Sequence, residues 1–215
     1  MKTRSDPPPR PLEAAPPAAT PQGCGCETSV RPHPRLVPTA LVFYAVMLAL
    51  AALGSWLAGA SLFYASPEAA RAGVHWGRDA GTGLAAAALM VLASQQLTLR
   101  TRWGARTARA LGALLGYLDW RRCLLLAAAS GVAEEALFRG ALQPRVGLVA
   151  ASLLFGLAHF VPRRELLPWT LLSLVAGFVL GGLFAATGNL LAPVLAHAVV
   201  NALNLRFVSR RYAPR

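Results

Sequence analysis

The feature that most constrains this chain is a series of apolar segments close to the length of a membrane span. A helix needs about 20 predominantly apolar residues to cross a bilayer. The first segment exceeds that length, the fourth falls short of it, and the others are close to it. The pattern predicts an all-α, polytopic helical membrane protein with about six transmembrane helices. The segments lie at roughly 37–64, 82–98, 123–142, 146–161, 168–187 and 190–208.

Composition also indicates that lipid, rather than water, surrounds most of the chain. Charged residues make up 14% of it, against roughly 25% in soluble domains. So few charges could not cover the surface of a soluble fold, which disfavours a water-soluble enzyme and a disordered regulator. Three cysteines, Cys24, Cys26 and Cys123, cannot form a disulfide framework. For Cys24 and Cys26, metal binding, lipidation and no role at all stay open.

Most of the basic residues lie between and outside the apolar segments. The chain has 21 Lys and Arg, all but one of them arginine, against 9 Asp and Glu, a net charge of +12. Such an excess in a soluble protein would suggest nucleic acid, but arginine between membrane spans marks cytoplasmic loops. The arginines before residue 36, in 100–122, at 163–164 and after 205 therefore predict cytoplasmic termini in the cell's inner membrane, and no nucleic-acid partner.

Composition divides the chain into three regions. Residues 1–35, rich in Pro, Ala and Arg, predict a disordered cytoplasmic tail. Residues 36–120 predict N-terminal transmembrane helices and a basic loop, part of which, around 105–118, has the pattern of an amphipathic helix at the membrane surface. Residues 121–209 predict a helical core, and this core holds the candidate catalytic residues.

Two adjacent acids, Glu134 and Glu135, lie inside an apolar segment. A charge at the bilayer centre costs about 2.5–3.5 kcal/mol on insertion scales, so these carboxylates need partners or a purpose. Arg139 follows Glu135 by one helical turn, which predicts an ion pair. Glu134 lies about 100° around the helix and has no equally well-placed local cation. One interpretation is that all three side chains only lock helices together in a buried network.

Two further polar groups occur in later segments. His159 ends the fourth segment, and His197 and Asn201 share one face of the sixth, four residues apart. A glutamate held away from water is a usable general base, and an imidazole beside it can help to deprotonate a water molecule. An amide and a second imidazole can donate hydrogen bonds to the oxyanion of an attacked carbonyl. This set of residues therefore predicts hydrolysis.

These motifs resemble those of the CPBP (Abi) family of intramembrane endopeptidases, which includes the type II CAAX prenyl proteases. The resemblance covers roughly 121–208. It comprises Glu-Glu-x-x-x-Arg at 134–139, Phe-x-x-x-His at 155–159 and His-x-x-x-Asn at 197–201, in that order. The run at 187–197 also resembles the family's lead-in to its last motif. Three motifs in order, each in an apolar segment, make the resemblance specific.

The resemblance implies a role for each matching residue. Glu134 would be the general base, acting with His159 on the nucleophilic water, and His197 and Asn201 would stabilise the oxyanion. Glu135 and Arg139 would support the helix that carries Glu134. The resemblance implies glutamate catalysis without a cofactor. Zinc held by Glu134, His159 and His197 is the alternative.

The expected partners are the lipid bilayer and a membrane-anchored protein or peptide substrate. A composition rich in Ala and Arg with almost no Lys suggests a high-GC bacterium, in which prenylated substrates are not expected. Removal of C-terminal sorting segments from surface proteins, as by the myxosortases, is the narrower hypothesis. The alternatives are a non-catalytic membrane binder, of the bacteriocin-immunity type, and a small transporter with a proton relay.

The six-span model conflicts with these roles in one respect. Glu134 lies thirteen residues from Arg121, which is about 20 Å along a helix. His159 instead lies close to the end marked by Arg163. Residues of one site cannot differ so much in depth, so we expect either a fourth helix that continues past Pro162 or a third that starts deeper than its arginines suggest.

Overall fold

The computed structural model describes residues 35–214, and the regular elements in that range are helices. A π-helical segment, Ala136–Leu142, joins α5 to α6, and a 3₁₀ turn, Arg164–Leu166, precedes α7. The predicted all-α fold is confirmed, whereas the predictions for the tail lie outside the described residues. The helices are α1 (Leu36–Leu57), α2 (Pro67–Ala72), α3 (Trp76–Arg100), α4 (Arg102–Leu115), α5 (Trp120–Glu135), α6 (Gln143–Ala158), α7 (Leu167–Thr187) and α8 (Leu191–Tyr212).

Five helical units in the described range, rather than six, are long and apolar enough to cross a membrane. The predicted third and fourth segments are the two arms of one unit, Trp120–Ala158, which is broken at Gly147. The Phe138 and Phe155 rings pack 5.1 Å apart, whereas an unbroken helix would separate these residues by about 25 Å. The two arms therefore form a hairpin, whose second arm is too short for a full span.

Gly147 makes this reversal possible. Its φ of 83° lies in a region that residues with a Cβ rarely adopt. A Cβ at this position would meet no atom within 4 Å, so the backbone conformation alone favours glycine there. The apolar pattern is interrupted here only at residues 143–145, and such a short break is compatible both with a turn between two full spans and with a hairpin that has one short arm.

The first predicted segment, 37–64, is a helix followed by a loop. α1 ends at Leu57, and the loop binds the turn between α7 and α8 through its backbone. Ala65 N donates to Gly188 O at 2.9 Å, and Leu190 N donates to Phe63 O at 3.0 Å. These bonds hold one end of α1 beside the start of α8.

α8 is the central helix of the bundle. Both α3 and α5 pack along it, and α6 packs on α7. Glycines at the contacts allow this: a Cβ at Gly83 would lie 2.5 Å from Ala192 O, and one at Gly131 would lie 3.1 Å from Ala198 N. Small residues let helices approach closely in lipid, where no hydrophobic force drives them together. Large apolar side chains such as Trp56 and Leu89 point outward instead.

The predicted amphipathic helix is present as α4, Arg102–Leu115. The side chain of Thr101 caps its first turn by accepting from Gly104 N at 3.0 Å. Its buried face consists of small residues and packs against α3 and α8, while its arginines are exposed. The helix is therefore confirmed, and its location at the membrane surface stays a prediction.

Candidate active site

The ion pair predicted within α5 and its π-helical continuation is present and fully buried. Arg139 Nε lies 3.1 Å from Glu135 Oε2, and neither side chain exceeds 1% exposure. Arg139 also donates from Nη2 to Gly177 O of α7 at 3.0 Å and lies over the Phe155 ring. π-helical segments inside α-helices occur frequently at functional sites. Arg139 therefore ties this segment to α6 and α7 as well as to Glu135.

Glu135 has a second partner that the spacing did not predict. Its Oε1 lies 2.7 Å from His197 Nδ1 on α8. Nε2 of the same imidazole lies 3.9 Å from Glu134 Oε2. Glu135 thus connects Arg139 on one side with His197 on the other. This chain of contacts orients the histidine ring toward Glu134.

His159 approaches Glu134 from α6. It is the residue that follows the last turn of that helix, where its Nδ1 bonds to Phe155 O at 2.8 Å. Its Nε2 lies 3.5 Å from Glu134 Oε2. The Trp169 ring packs edge-on against the imidazole, with centroids 5.3 Å apart. The carboxylate of Glu134 is therefore faced by two imidazoles from two other helices.

The expected conflict in depth does not arise, because the two arms fold back on each other. Gly147 lies thirteen residues after Glu134 and twelve before His159, so the reversal brings both residues to one level. α6 ends at Ala158, so the expectation that the fourth helix continues past Pro162 is wrong.

A short non-helical stretch leads away from His159 instead. It ends at the 3₁₀ turn Arg164–Leu166, where the carbonyl oxygen of Glu165 accepts a hydrogen bond from Thr107 of α4 at 2.7 Å. The arginines at 163–164 therefore lie next to α4 and not at the depth of the candidate site on α6.

The hydrogen bonds of the two imidazoles determine which atoms face Glu134. A backbone carbonyl can only accept, so His159 Nδ1 carries a hydrogen that it donates to Phe155 O. His197 Nδ1 donates to the Glu135 carboxylate in the same way. In a neutral ring, Nε2 then presents a lone pair. The two Nε2 atoms lie 3.5 and 3.9 Å from Glu134 Oε2. A ring that is neutral can therefore accept a hydrogen from a water molecule beside that carboxylate.

Asn201 lies one turn beyond His197 on α8. Its Nδ2 donates to Ser130 Oγ on α5 at 2.8 Å. Tyr44 of α1 has its hydroxyl beside both Ser130 and Glu134. Neither neighbour was predicted from the sequence. Ser130 precedes Glu134 by four residues, a spacing that could have indicated it, whereas only the tertiary fold brings Tyr44 to the site.

A metal centre would require Glu134, His159 and His197 to converge on one ion. No group of three or more His, Cys, Asp and Glu side chains that could hold a metal ion occurs within residues 35–214. Both histidines engage Nδ1 elsewhere and direct Nε2 toward Glu134. That no cofactor is needed stays a prediction.

A second buried polar cluster is centred on Asn189, which lies in the 187–197 run at the turn before α8. Asn189 is fully buried, and its Nδ2 donates to Asp79 Oδ2 at 2.7 Å. Asp79 also accepts from Arg78 Nε at 2.8 Å. This cluster joins the start of α3 to the turn between α7 and α8. It contains neither of the histidines that face Glu134.

Comparison with known proteins identifies the segment that carries the site. Residues 116–203 match the family model described as type II CAAX prenyl endopeptidase, Rce1-like. This segment is similar to that family. The resemblance inferred from the three motifs is thereby confirmed, and the matched segment contains every predicted site residue from Glu134 to Asn201. Tyr44, which lies beside Glu134, is outside it.

One curated relative is the uncharacterized protein YpbD of Bacillus subtilis (strain 168). It is 45% identical over 73 residues, which are 33% of this chain and 37% of YpbD. The chain thus spans little more than a third of that relative. No solved structure matches the chain. The family match concerns residues 116–203, and the activity of the whole protein is left to be proposed.

Proposed function

We propose that this protein is an intramembrane endopeptidase that hydrolyses a peptide bond at or near the bilayer. The observation that carries the proposal is the convergence of Glu134 Oε2 with His159 Nε2 and His197 Nε2, at 3.5 and 3.9 Å. A buried carboxylate beside a neutral imidazole, here that of His159, suits the binding and deprotonation of one water molecule. The Rce1-like match of residues 116–203 is consistent with this chemistry.

In the proposed reaction, Glu134 takes a proton from water while the water oxygen attacks the scissile carbonyl carbon. His159 orients this water through Nε2, and its own Nδ1–H is held by Phe155 O. A tetrahedral intermediate forms with negative charge on the former carbonyl oxygen. When the carbon–nitrogen bond breaks, the proton held by Glu134 passes to the leaving amine. Glu134 thus serves first as base and then as acid.

His197 and Asn201 stabilise the oxyanion in this proposal. Because Nδ1–H of His197 is bound to Glu135, its Nε2 can donate only in the imidazolium form, for which Glu135 is the counter-charge. Asn201 Nδ2 carries two hydrogens, and Ser130 occupies one of them. The second hydrogen is available for the oxyanion. Glu135 and Arg139 act as positioning residues that hold the His197 ring.

The proposed substrate is a protein or peptide anchored in the same membrane. The five spans and the burial of Glu134 support a scissile bond that reaches the site from the bilayer rather than from bulk water. We further propose the cell's inner membrane as the location, with both termini in the cytoplasm, on the distribution of arginines. The narrower proposal is the removal of C-terminal sorting segments from surface proteins.

The test compares protein termini in membranes from cells that carry the wild type, Glu134→Gln or Glu68→Gln at equal levels. Glu68 is an exposed glutamate on α2, so it controls for the substitution itself. Terminal-peptide mass spectrometry should show specific fragments in the wild type and in Glu68→Gln that are absent in Glu134→Gln. The released fragments then identify the substrate. Identical fragments in all three would contradict the proposal and favour a structural or binding network.

The zinc alternative is tested on purified protein in liposomes with one of the substrates so found. Metal-free catalysis predicts the same cleavage rate before and after prolonged treatment with a strong chelator. Loss of cleavage, restored by added zinc and not by magnesium, would replace the glutamate mechanism with a metal-dependent one.

A further inference from the structure

The corner between α3 and α4 carries four exposed arginines. Arg100 ends α3, Arg102 begins α4, and Arg106 and Arg109 follow on the same face of α4. Together with Leu99 they line an open pocket of about 430 Å³. No acid is among the lining residues, and none of the four arginines forms an ion pair with another described residue.

The backbone of this corner is rigidly built. Thr101 Oγ1 donates to Leu97 O at 2.6 Å and accepts from Gly104 N at 3.0 Å. A Cβ at Gly104 would lie 2.5 Å from Leu97 O, so the two helices meet without space for another side chain. On the buried side of α4, Thr107 Oγ1 donates to Glu165 O at 2.7 Å. The backbone that carries the arginines is therefore held in place by hydrogen bonds and close packing.

Aromatic side chains indicate the level at which the corner lies. Exposed Trp103 and Trp120 lie at the end of the bundle where α3 ends and α5 begins, and exposed Trp56 and Trp76 lie at the opposite end. Tryptophan is enriched where spans leave the hydrocarbon and enter the headgroup layer. Arg100 ends a 25-residue span. These positions favour a pocket at the level of the lipid headgroups.

We propose that the α3–α4 corner is a binding site for the phosphate headgroup of an anionic phospholipid. Guanidinium groups bind phosphate oxygens in pairs of parallel hydrogen bonds, and four of them around one pocket exceed what one phosphate requires. Basic pockets at helix ends bind multiply charged headgroups such as that of cardiolipin. Leu99, half exposed on α3, offers apolar surface to the first methylenes of the acyl chains.

The test measures lipid retention by native mass spectrometry of the purified full-length protein. Phosphatidylglycerol, cardiolipin and phosphatidylcholine are titrated against the wild type, R102Q/R106Q and R210Q/R211Q. The second double variant removes the same charge from exposed arginines in the last turn of α8, outside the pocket. The loss of one hydrogen bond to a charged group costs roughly tenfold in affinity, so R102Q/R106Q should bind both anionic lipids about 100-fold more weakly.

The control variant should retain the wild-type affinity within about threefold. An equal loss in both double variants would overturn the proposal, because it would reflect diffuse attraction rather than a built pocket. Equal binding of phosphatidylcholine would overturn it as well. A final arm adds inorganic phosphate without lipid: if millimolar phosphate displaces the anionic lipid from the wild type, the site is for a soluble anion and the lipid assignment is wrong.

Discussion

Two buried carboxylates in this protein have opposite surroundings. Asp79 at the start of α3 is fully buried, and each of its oxygens accepts a hydrogen bond. Arg78 Nε donates to Oδ1 at 2.8 Å, while Asn189 Nδ2 donates to Oδ2 at 2.7 Å. Glu134 on α5 is also buried, but its Oε2 has no hydrogen-bond donor among the described residues.

The difference is the reason for proposing a structural role for Asp79 and a chemical one for Glu134. A buried carboxylate whose oxygens are all bonded to donors stabilises the arrangement around it and gains nothing from a proton. Glu134 Oε2 instead faces two histidine nitrogens. Its hydrogen bonding is satisfied only if it takes up a proton or accepts a hydrogen bond from a water molecule. Groups left in that condition inside a protein are candidates for proton transfer. Burial of charge alone therefore does not identify the active residue.

The largest expected effect tests this distinction directly. Glu134→Gln should lower turnover by about 10³-fold, because a carboxamide cannot accept the proton of the attacking water. The melting temperature should stay close to that of the wild type, since the amide fits the same space. Turnover is measured on purified protein in liposomes, per folded molecule. If Asp79→Asn lowers turnover as much as Glu134→Gln does, the two carboxylates do not differ in role and the proposal for Glu134 is contradicted.

The next effect separates two asparagines on α8. Asn201→Ala should lower turnover by about 10²-fold through loss of an oxyanion donor. Asn204→Ala should change turnover by less than about twofold, because Asn204 bonds to Ser94 of α3, accepting at 3.3 Å and donating at 3.0 Å. Matched rates and thermal unfolding of the two variants decide this. Equal losses of turnover would mean that α8 packing, not Asn201, controls the rate.

A third effect concerns stability rather than rate. Asp79→Ala removes one of the two acceptors of the buried Asn189 amide, the other being Thr187 O, and should lower the free energy of unfolding by about 2 kcal/mol. Turnover per folded molecule should stay at the wild-type value. Thermal unfolding in detergent and the liposome assay measure the two quantities. If Asp79→Ala has normal stability but no turnover, Asp79 takes part in catalysis and is not only structural.

The smallest effect refines the surroundings of Glu134. Tyr44→Phe removes the hydroxyl beside that carboxylate, and the loss of one such contact should lower turnover by about fivefold. Tyr64→Phe is the matched control, because Tyr64 pairs with Asn189 only through its backbone. Equal turnover in both variants would show that the Tyr44 hydroxyl does not contribute to the rate and that only the two histidines assist Glu134.

Several features were predictable because they depend on short stretches of chain. Hydropathy alone indicated a helical membrane protein, since lipid requires apolar segments of a set length. The Glu135–Arg139 ion pair followed from its spacing, because residues four apart share a helix face. The three motifs indicated the Rce1-like segment, which the family model bears out.

Other expectations failed because two adjacent apolar segments can fold either as two full spans or as a hairpin with one short arm. Hydropathy cannot distinguish a hairpin from two separate spans, so the third and fourth segments were counted as full spans. The reversal depends on the backbone of Gly147, a single residue whose positive φ has no signature in the pattern. The same reversal brings His159 level with Glu134, which the six-span model could not do.

By itself, the sequence determined the helical membrane class and indicated the residues that are proposed to carry out hydrolysis. Only the tertiary structure decided that Glu135 holds His197, its neighbour across 62 positions of chain, and that Tyr44 reaches the site from α1. The physical reason is that helical spacing specifies neighbours within a few turns. Contacts between distant helices depend instead on where small residues such as Gly83 and Gly131 let α3 and α5 approach α8.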